Sequence, residues 1–325
     1  MSSVSLPLRV GIVGTGYAAR QRARTLQIDP RCKLIGFVGR RPESSIAFAA
    51  ESGVLSCTEA ELWESADVVF ICTVNRDHAR FVRQALEHRL HVVVEYPLAL
   101  DLQEAQALIA LAAQQHRLLH VEHIELLSGF HLALRSYLAK AGNIHLVRYS
   151  SINAKPPTPG KWTFSEALFG FPLVGALSRI SRLVDLVGPV ESVSCQNRYL
   201  EREGDQFQGC ICTAQLQFGS GAFGELTYAK GKGLWQSENR LELTGSGGSL
   251  IHSGESLTLI NGEGTQSFEP GSRQGLFAQD TQAVLDALIE EKPLYTNAKT
   301  MLHSLAVAVA AERSNLYGQV EKITV

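Results

Sequence analysis

Leu8-Arg9-Val10-Gly11-Ile12-Val13-Gly14-Thr15-Gly16-Tyr17-Ala18-Ala19 decides the fold. Its first six residues read as a buried strand, and Arg20 to Gln27 continue as a helical pattern. Between them lies G-x-G-x-x-A. The first glycine permits a tight turn, the second lets backbone approach a pyrophosphate at the helix N-terminus, and the small Ala19 lets helix pack on strand. A glycine pattern alone is weak; set directly between strand and helix, it predicts a dinucleotide site at Gly14, Thr15, Gly16, Tyr17 and Ala18.

The next strand, Lys33 to Val38, should end in an acid if it met a free ribose 2′-hydroxyl. It ends in Gly39-Arg40-Arg41. Guanidinium groups form charge-assisted bidentate bonds to phosphate, so this pair predicts NADPH, with NADH the weaker ligand. A helix from Ser44 to Ser52, a short segment at Val54-Leu55-Ser56 and a helix near Glu59 follow. A buried strand from Asp67 leads into Thr73-Val74-Asn75-Arg76-Asp77-His78. Thr73, Asn75 and His78 are expected at the nicotinamide half of the crevice, although capping suits His78 better than catalysis.

The strand His91 to Val94 is then broken by Glu95-Tyr96-Pro97-Leu98. Ligands of open α/β sheets gather at such carboxyl ends, so an acid, a phenol and a proline there mark a working site. Asp101 should N-cap an amphipathic helix from Leu102 to Gln115. Leu118 to Leu127 begins as a sixth strand and embeds Glu122, His123 and Glu125 in an apolar run, which is expensive unless they are paired or used. Use in a site and capping of the following helix, Phe130 to Lys140, stand level.

From Asn143 the pattern changes. Strand-like runs at Ile144–Asn153, Val190–Tyr199, Cys210–Phe218, Ala222–Ala229 and four shorter segments to Phe268 are separated by Gly-Ser turns. One helix, Pro172 to Leu186, interrupts them. Two closing helices, Leu276 to Glu290 and Ala298 to Tyr317, are expected to return to the first domain. The fold class is α/β: a doubly wound parallel Rossmann sheet over residues 1–125, then an α+β domain over 126–325 with a large open antiparallel sheet.

At 325 residues the chain exceeds what one core usually serves. A formal net charge of −2 leaves no basic surplus for a nucleic acid partner. No apolar run reaches the ~18 residues of a membrane span. Met1-Ser2-Ser3-Val4-Ser5-Leu6-Pro7 has neither a basic nor an apolar leader region, so the cytoplasm is the expected compartment. Cys32, Cys57, Cys72, Cys195, Cys210 and Cys212 show no disulfide framework or metal-ligand spacing, and are expected to be mostly buried and reduced.

The glycine turn, Thr73-Val74-Asn75 and Glu95-Tyr96-Pro97 resemble the glucose–fructose oxidoreductase/inositol dehydrogenase family. Its members usually read Glu-Lys-Pro at the last of these, and the lysine moves the proton of a sugar or inositol hydroxyl. Here that position is Tyr96. The family's Asp-x-x-x-His-x-x-Asp helix, aligned on Asp185, places Ser178 and Arg182 at its first Asp and its His. A base for alcohol oxidation is hard to find, which disfavours a polyol substrate.

The departures themselves resemble the bilin-reducing branch of that family, in Glu95-Tyr96-Pro97-Leu98, in Val121 to Leu127 and in Phe171 to Arg182. That resemblance runs through nearly the whole chain and implies NADPH-dependent reduction of the central methine bridge of biliverdin IXα to bilirubin. Such a reduction needs hydride at carbon and a proton at a pyrrole nitrogen. Arg179 is the expected essential cation, acting through a held water because arginine does not readily release its own proton. Tyr96 and Glu95 complete the catalytic set, and Glu95 also counts as a cofactor contact. Glu122, His123, Glu125, Arg182, Phe171 and Lys230 are the expected substrate contacts, with Trp162, Phe169 and Trp235 as further aromatic surfaces. A sugar or cyclitol dehydrogenase and a non-catalytic NADP-binding regulator stay open as alternatives, and so does self-association.

Overall fold

The structure, a computed structural model, describes residues 6–324. Residues 1–5, which carry most of the leader argument, lie outside the described residues. Two compact units emerge. One comprises the chain up to Ile124 together with Gly275–Ala298; the other comprises Glu125–Gln274 and the chain from Lys299.

The first unit contains β1 (Leu8–Val13), β2 (Cys32–Val38), β3 (Val68–Ile71), β4 (His91–Val94) and β5 (Leu119–Val121). They form a parallel sheet in the order β2-β1-β3-β4-β5. β3 and β4, Val-Val-Phe-Ile and His-Val-Val-Val, are buried along their whole length, as a sheet covered on both faces requires. Its helices are α1 (Tyr17–Ile28), α2 (Pro42–Ser52), α3 (Glu59–Ser65), α4 (Asn75–Glu87) and α5 (Leu102–Gln114). Asp101 caps α5 by accepting from Glu104 N at 2.8 Å. Val54 to Ser56 makes only a single bridge, Ser56 to Phe37, so this sheet has five strands where six were expected.

The second unit begins with α6 (Gly129–Ala141) and β6 (Ile144–Asn153). The helix expected from Pro172 to Leu186 is split. α7 (Glu166–Phe169) and α8 (Pro172–Gly175) precede α9 (Ser178–Val187), and Ala176 at φ −108°, ψ 36° marks the break. Next come β7 (Val190–Leu200), β8 (Gly209–Phe218), β9 (Phe223–Gly231), β10 (Glu238–Gly245), β11 (Gly248–Ser253), β12 (Ser256–Asn261) and β13 (Gly264–Phe268).

α10 (Leu276–Glu290) belongs to the first unit, where it packs on α1; α11 (Ala298–Tyr317) and β14 (Glu321–Lys322) belong to the second. So only one closing helix joins the first unit. α11 is tied to β7, where His303 Nε2, Ser314 Oγ and Asn315 Oδ1 accept from Val190 N, Cys195 N and Asn197 N at 2.7–3.0 Å.

The second sheet runs β13-β12-β11-β10-β6-β9-β8-β7-β14, antiparallel except for the parallel β6–β9 pair. In β8, Cys210, Cys212, Ala214, Leu216 and Phe218 are buried, whereas Thr213, Gln215 and Gln217 are exposed. One face of the sheet therefore carries the core and the other is wet. All six cysteines are free, Cys57 alone being half-buried; Cys195 and Cys212 hold their sulfurs 3.5 Å apart. Among the described residues no helix is long and apolar enough to cross a membrane.

Candidate active site

In the first unit the β1–α1 turn has the form a pyrophosphate needs. Gly14 sits at φ +117°, and a Cβ there would lie 2.3 Å from the Cys72 carbonyl oxygen, so no side chain fits. Gly16 caps α1 in extended backbone, and a Cβ on it would meet nothing within 4 Å. The backbone at the start of α1 is thus open to a ligand and carries the positive end of the helix dipole. Thr15 Oγ1 donates to Ser44 Oγ at 3.0 Å, tying this turn to α2. Tyr17 is exposed and Ala18 half-buried. A Cβ on Gly39 would lie 2.1 Å from Ser45 Oγ, so a side chain there would have to displace that hydroxyl. Arg40 and Arg41 are exposed beside it, and no described carboxylate pairs with either.

Glu95, at the carboxyl end of β4, is anchored from below. Arg22 is completely buried and donates to Glu95 Oε1 through Nε at 3.2 Å and Nη2 at 3.0 Å. Its Nη1 pairs with Asp280 on α10 and donates to Thr281 Oγ1 at 3.0 Å. Burial would lower the Arg22 pKa, but Asp280 and Glu95 raise it well above its ordinary value. Asp280 also accepts from His120 Nε2 at 2.7 Å and from the Tyr295 hydroxyl at 2.5 Å. Burial alone would raise Asp280, yet Arg22 and His120 hold its carboxyl well below the usual range. Removing one member of such a network typically costs about 3–5 kcal/mol.

The expected site residues separate by burial. Tyr96 is half-buried and stacks on His123, ring centroids 5.7 Å apart and planes 3° from parallel. His123 is only 2 % exposed, neither ring nitrogen has a hydrogen-bond partner, and burial brings its pKa down to about 3. Glu122 is 1 % exposed and accepts from Ile124 N at 2.5 Å; burial and then the neighbouring Glu95 and Asp280 charges push its pKa well up. Glu122 and His123, expected as substrate contacts, are thus buried side chains of the first unit. His78, expected at the cofactor, is fully buried as well, with Nδ1 2.7 Å from the Pro97 carbonyl and Nε2 3.3 Å from that of Thr73. It braces the loops after β3 and β4. Thr73 remains half-buried, and Asn75 opens α4 at 3 % exposure.

The second unit holds a cleft of about 300 Å³. Lys155, Arg179, Arg182, Lys230 and Arg273 line it, against the acids Glu125 and Glu238. Arg179 projects from α9, donating through Nε to Ser151 Oγ at 3.2 Å and through Nη1 to Ser178 Oγ at 2.9 Å. Its guanidinium carbon lies 5.4 Å from the centre of the Tyr228 ring. Ser178, where the family has an acid, thus orients the cation without neutralising it.

Arg182, one turn on, is 3 % exposed. It donates through Nη1 to the Tyr149 hydroxyl at 3.1 Å and through Nε to His131 Nδ1 at 3.5 Å, while His131 Nε2 lies 2.8 Å from Asp185 Oδ2. This cation mainly locks α9 to α6 and β6, and only its Nη2 is left without a hydrogen-bond partner. Glu125 is paired with Arg273. Phe171, expected at the substrate, is 5 % exposed just before α8 and is not among the residues lining this cleft. Trp235, by contrast, is 97 % exposed.

Lys230 lines the cleft although it is only 6 % exposed. Its Nζ donates to the Thr163 carbonyl and lies 3.5 Å from the centre of the Phe169 ring, with Phe164, Phe207 and Tyr228 at 4.9–5.7 Å. Ring faces favour the charged ammonium by about 0.5–2 kcal/mol. Burial opposes them and dominates, bringing the pKa down to about 7 with help from Arg179 and Lys161. Sequence reasoning missed Arg22, Asp280, Tyr295, Ser151 and Tyr228. Arg22 shares its helix with Arg20 and Arg24, and nothing in the local pattern separates the one buried arginine from the exposed faces.

Residues 8–123 match a family model for the NAD-binding Rossmann fold of the Gfo/Idh/MocA oxidoreductases, and residues 139–325 match the model for the C-terminal alpha/beta domain of the same family. The chain belongs to that oxidoreductase family. Within it, the chain is 30 % identical to biliverdin reductase A of Mus musculus over 94 % of its own length and 95 % of the relative's. The human biliverdin reductase A is 30 % identical over 92 % and 93 %. The solved structure of biliverdin reductase from Synechocystis sp. PCC 6803, in complex with biliverdin and NADP+, is 43 % identical, with a TM-score of 0.92, covering 95 % of this chain and 99 % of that one.

Proposed function

We propose that this chain reduces biliverdin IXα to bilirubin with NADPH. The observation that carries this reading is the cation-rich cleft centred on Arg179 in the second unit, in a chain whose Tyr96 stands where a polyol dehydrogenase needs its lysine. The likeness to the Synechocystis protein that binds biliverdin and NADP+ supports it over nearly the full length of both chains.

The residues present fit an NADP nucleotide. Gly14 and Gly16 leave room for a pyrophosphate at the start of α1, and Arg40 and Arg41 offer a 2′-phosphate two unpaired guanidinium groups. Bound there, NADPH supplies a hydride for the bilin methine carbon. Glu95, held by Arg22, orients the cofactor end of the site, and Tyr96 offers a flat ring stiffened by His123. In the second unit Arg179 stabilises the negative charge that spreads over the bilin as it is reduced, and it holds the water next to the pyrrole nitrogen. Arg182 Nη2 and Lys155 suit the propionates, which are carboxylates on flexible arms. The six free cysteines suit a reducing compartment, and the cytoplasm is the proposed location.

Mixing protein, NADPH and biliverdin and recording absorbance tests the reading. Loss of the long-wavelength biliverdin band with growth of the bilirubin band in the blue is the expected result. An unchanged spectrum from acid to neutral pH, with NADPH demonstrably bound, would leave a non-catalytic regulator; turnover of a polyol with NADP+ would restore the sugar dehydrogenase.

A further inference from the structure

The ammonium of Lys230 has no part in the chemistry above, yet it stands in the same cleft as Arg179. We infer that Lys230, boxed by Phe164, Phe169, Phe207 and Tyr228 on β9, is the proton source for the reduction; this rests on the biliverdin reading and deepens it. The geometry divides the task. The ring faces and the Thr163 carbonyl fix the ammonium in place, while the dry box and the facing cations make its proton easy to lose. The charged and titratable groups around it are Arg179 from α9, Lys161 from the segment before Trp162, and Cys210 and Tyr228 from the sheet. The first two favour the neutral amine. Cys210, whose thiol is itself pushed up to about 11 by burial, stays protonated at neutral pH. Arginine keeps its proton at any working pH, so of Arg179 and Lys230 it is Lys230 that has one to give.

The balance is simple. A C–H bond of the dihydronicotinamide breaks and a C–H bond forms at the methine carbon, so NADPH is oxidised and the bilin reduced. The electron pair displaced through the conjugated system lands on a pyrrole nitrogen. There an N–H bond forms, by way of the water at Arg179, as an N–H bond of the Lys230 ammonium breaks. Solvent returns one proton to the amine before the next turnover.

The test is pre-steady-state reduction of biliverdin at saturating NADPH from about pH 5.5 to about pH 9, for the wild type, Lys230→Met and Lys230→Arg. The wild-type rate should hold below about pH 7 and fall roughly tenfold per unit above it. Lys230→Met should lose about 10²–10⁴-fold in kcat with its biliverdin KM within about threefold, and Lys230→Arg should fail to rescue kcat. A kcat for Lys230→Met within about threefold of wild type overturns the assignment.

A second measurement reads the wild-type amine itself. With wild-type lysines dimethylated by ¹³C-formaldehyde, the Lys230 resonance, assigned by its absence from Lys230→Arg, should titrate near pH 7. Titration above about pH 9 overturns the proposal, since an ordinary lysine titrates near about 10.4. Wild-type protein that leaves biliverdin unreduced overturns both this inference and the reading beneath it; active wild type with active Lys230→Met overturns this inference alone.

Discussion

Gly14, Arg40 and Arg179 are three residues whose roles separate cleanly under substitution. At Gly14 both the φ of +117° and the 2.3 Å approach to the Cys72 carbonyl forbid a side chain. Gly14→Ala should destabilise the first unit by about 1–3 kcal/mol and lose NADPH, read by urea unfolding and by quenching of NADPH fluorescence. Arg40→Ala should weaken NADPH by about tenfold while leaving NADH nearly unchanged; equal losses for both would remove Arg40 from the 2′-phosphate. Arg179→Ala should keep NADPH binding and abolish bilin turnover, and normal turnover would refute its placement in the site. Gly14 and Arg40 were legible because each breaks a local pattern, a glycine where a strand meets a helix and arginines where an acid belongs, whereas Arg179 was legible only through the resemblance of Phe171 to Arg182. Glu122 and His123 broke a pattern too, and both are buried. Their neighbours in the sequence say only that charge there is costly, whereas burial against Asp280, Arg22 and Tyr295 explains how that cost is met.

Among the elements, strands were read more faithfully than the helices that serve the site. β6 runs from Ile144 to Asn153 and α10 from Leu276 to Glu290, both as the periodicity implied. Pro172 to Leu186, by contrast, carries continuous helical periodicity, and its break at Ala176 has no local sequence signal. The cause is tertiary. A Cβ on Gly175 would lie 2.4 Å from the Phe169 ring, the same ring that faces the Lys230 ammonium at 3.5 Å. Two short turns, α7 and α8, are needed to bring Phe169 over Lys230, and Gly175 is the space that allows it. Gly175→Ala should therefore cost about 1–3 kcal/mol of stability by overpacking, measured by urea unfolding. It should also move the pH profile of bilin reduction, which a purely structural glycine would leave in place.

For the molecule as a whole, acid stability has a definite sign. His91, His123 and His252 are held by burial at pKa values of about 4, 3 and 4, and His78, His131 and His303 are lowered in the same direction. A histidine whose folded pKa lies below its unfolded value contributes stability that is fully present above about pH 6.5 and is lost as the pH falls toward the folded value. Each of the first three removes roughly 1.4 kcal/mol per pH unit within that window. Glu122 and Glu312, both raised by burial, run the other way, since the unfolded chain ionises them first as pH rises. The histidines outnumber them, so urea midpoints should drop steadily from about pH 6.5 to about pH 4; a flat profile would contradict the burial of these rings.

The two-unit division adds a further expectation, because Asp280 and Thr281 reach the first unit only through the returning segment Gly275–Ala298. A fragment ending at Ile124 should show no cooperative melt by circular dichroism and should not retain NADPH. That return segment also fixes when the protein can fold. A ribosome making roughly 5–20 residues per second needs roughly 10–35 seconds to pass from Ile124 to Ala298. Through that interval a nascent Rossmann sheet carries Arg22 without the partner on α10 that offsets its burial. The second unit waits longer still, for α11 to bond the backbone of β7. Each unit therefore gains its last elements, Gly275–Ala298 for the first and α11 for the second, long after its sheet has been made, and each is expected to become cooperative only once that late segment has joined it.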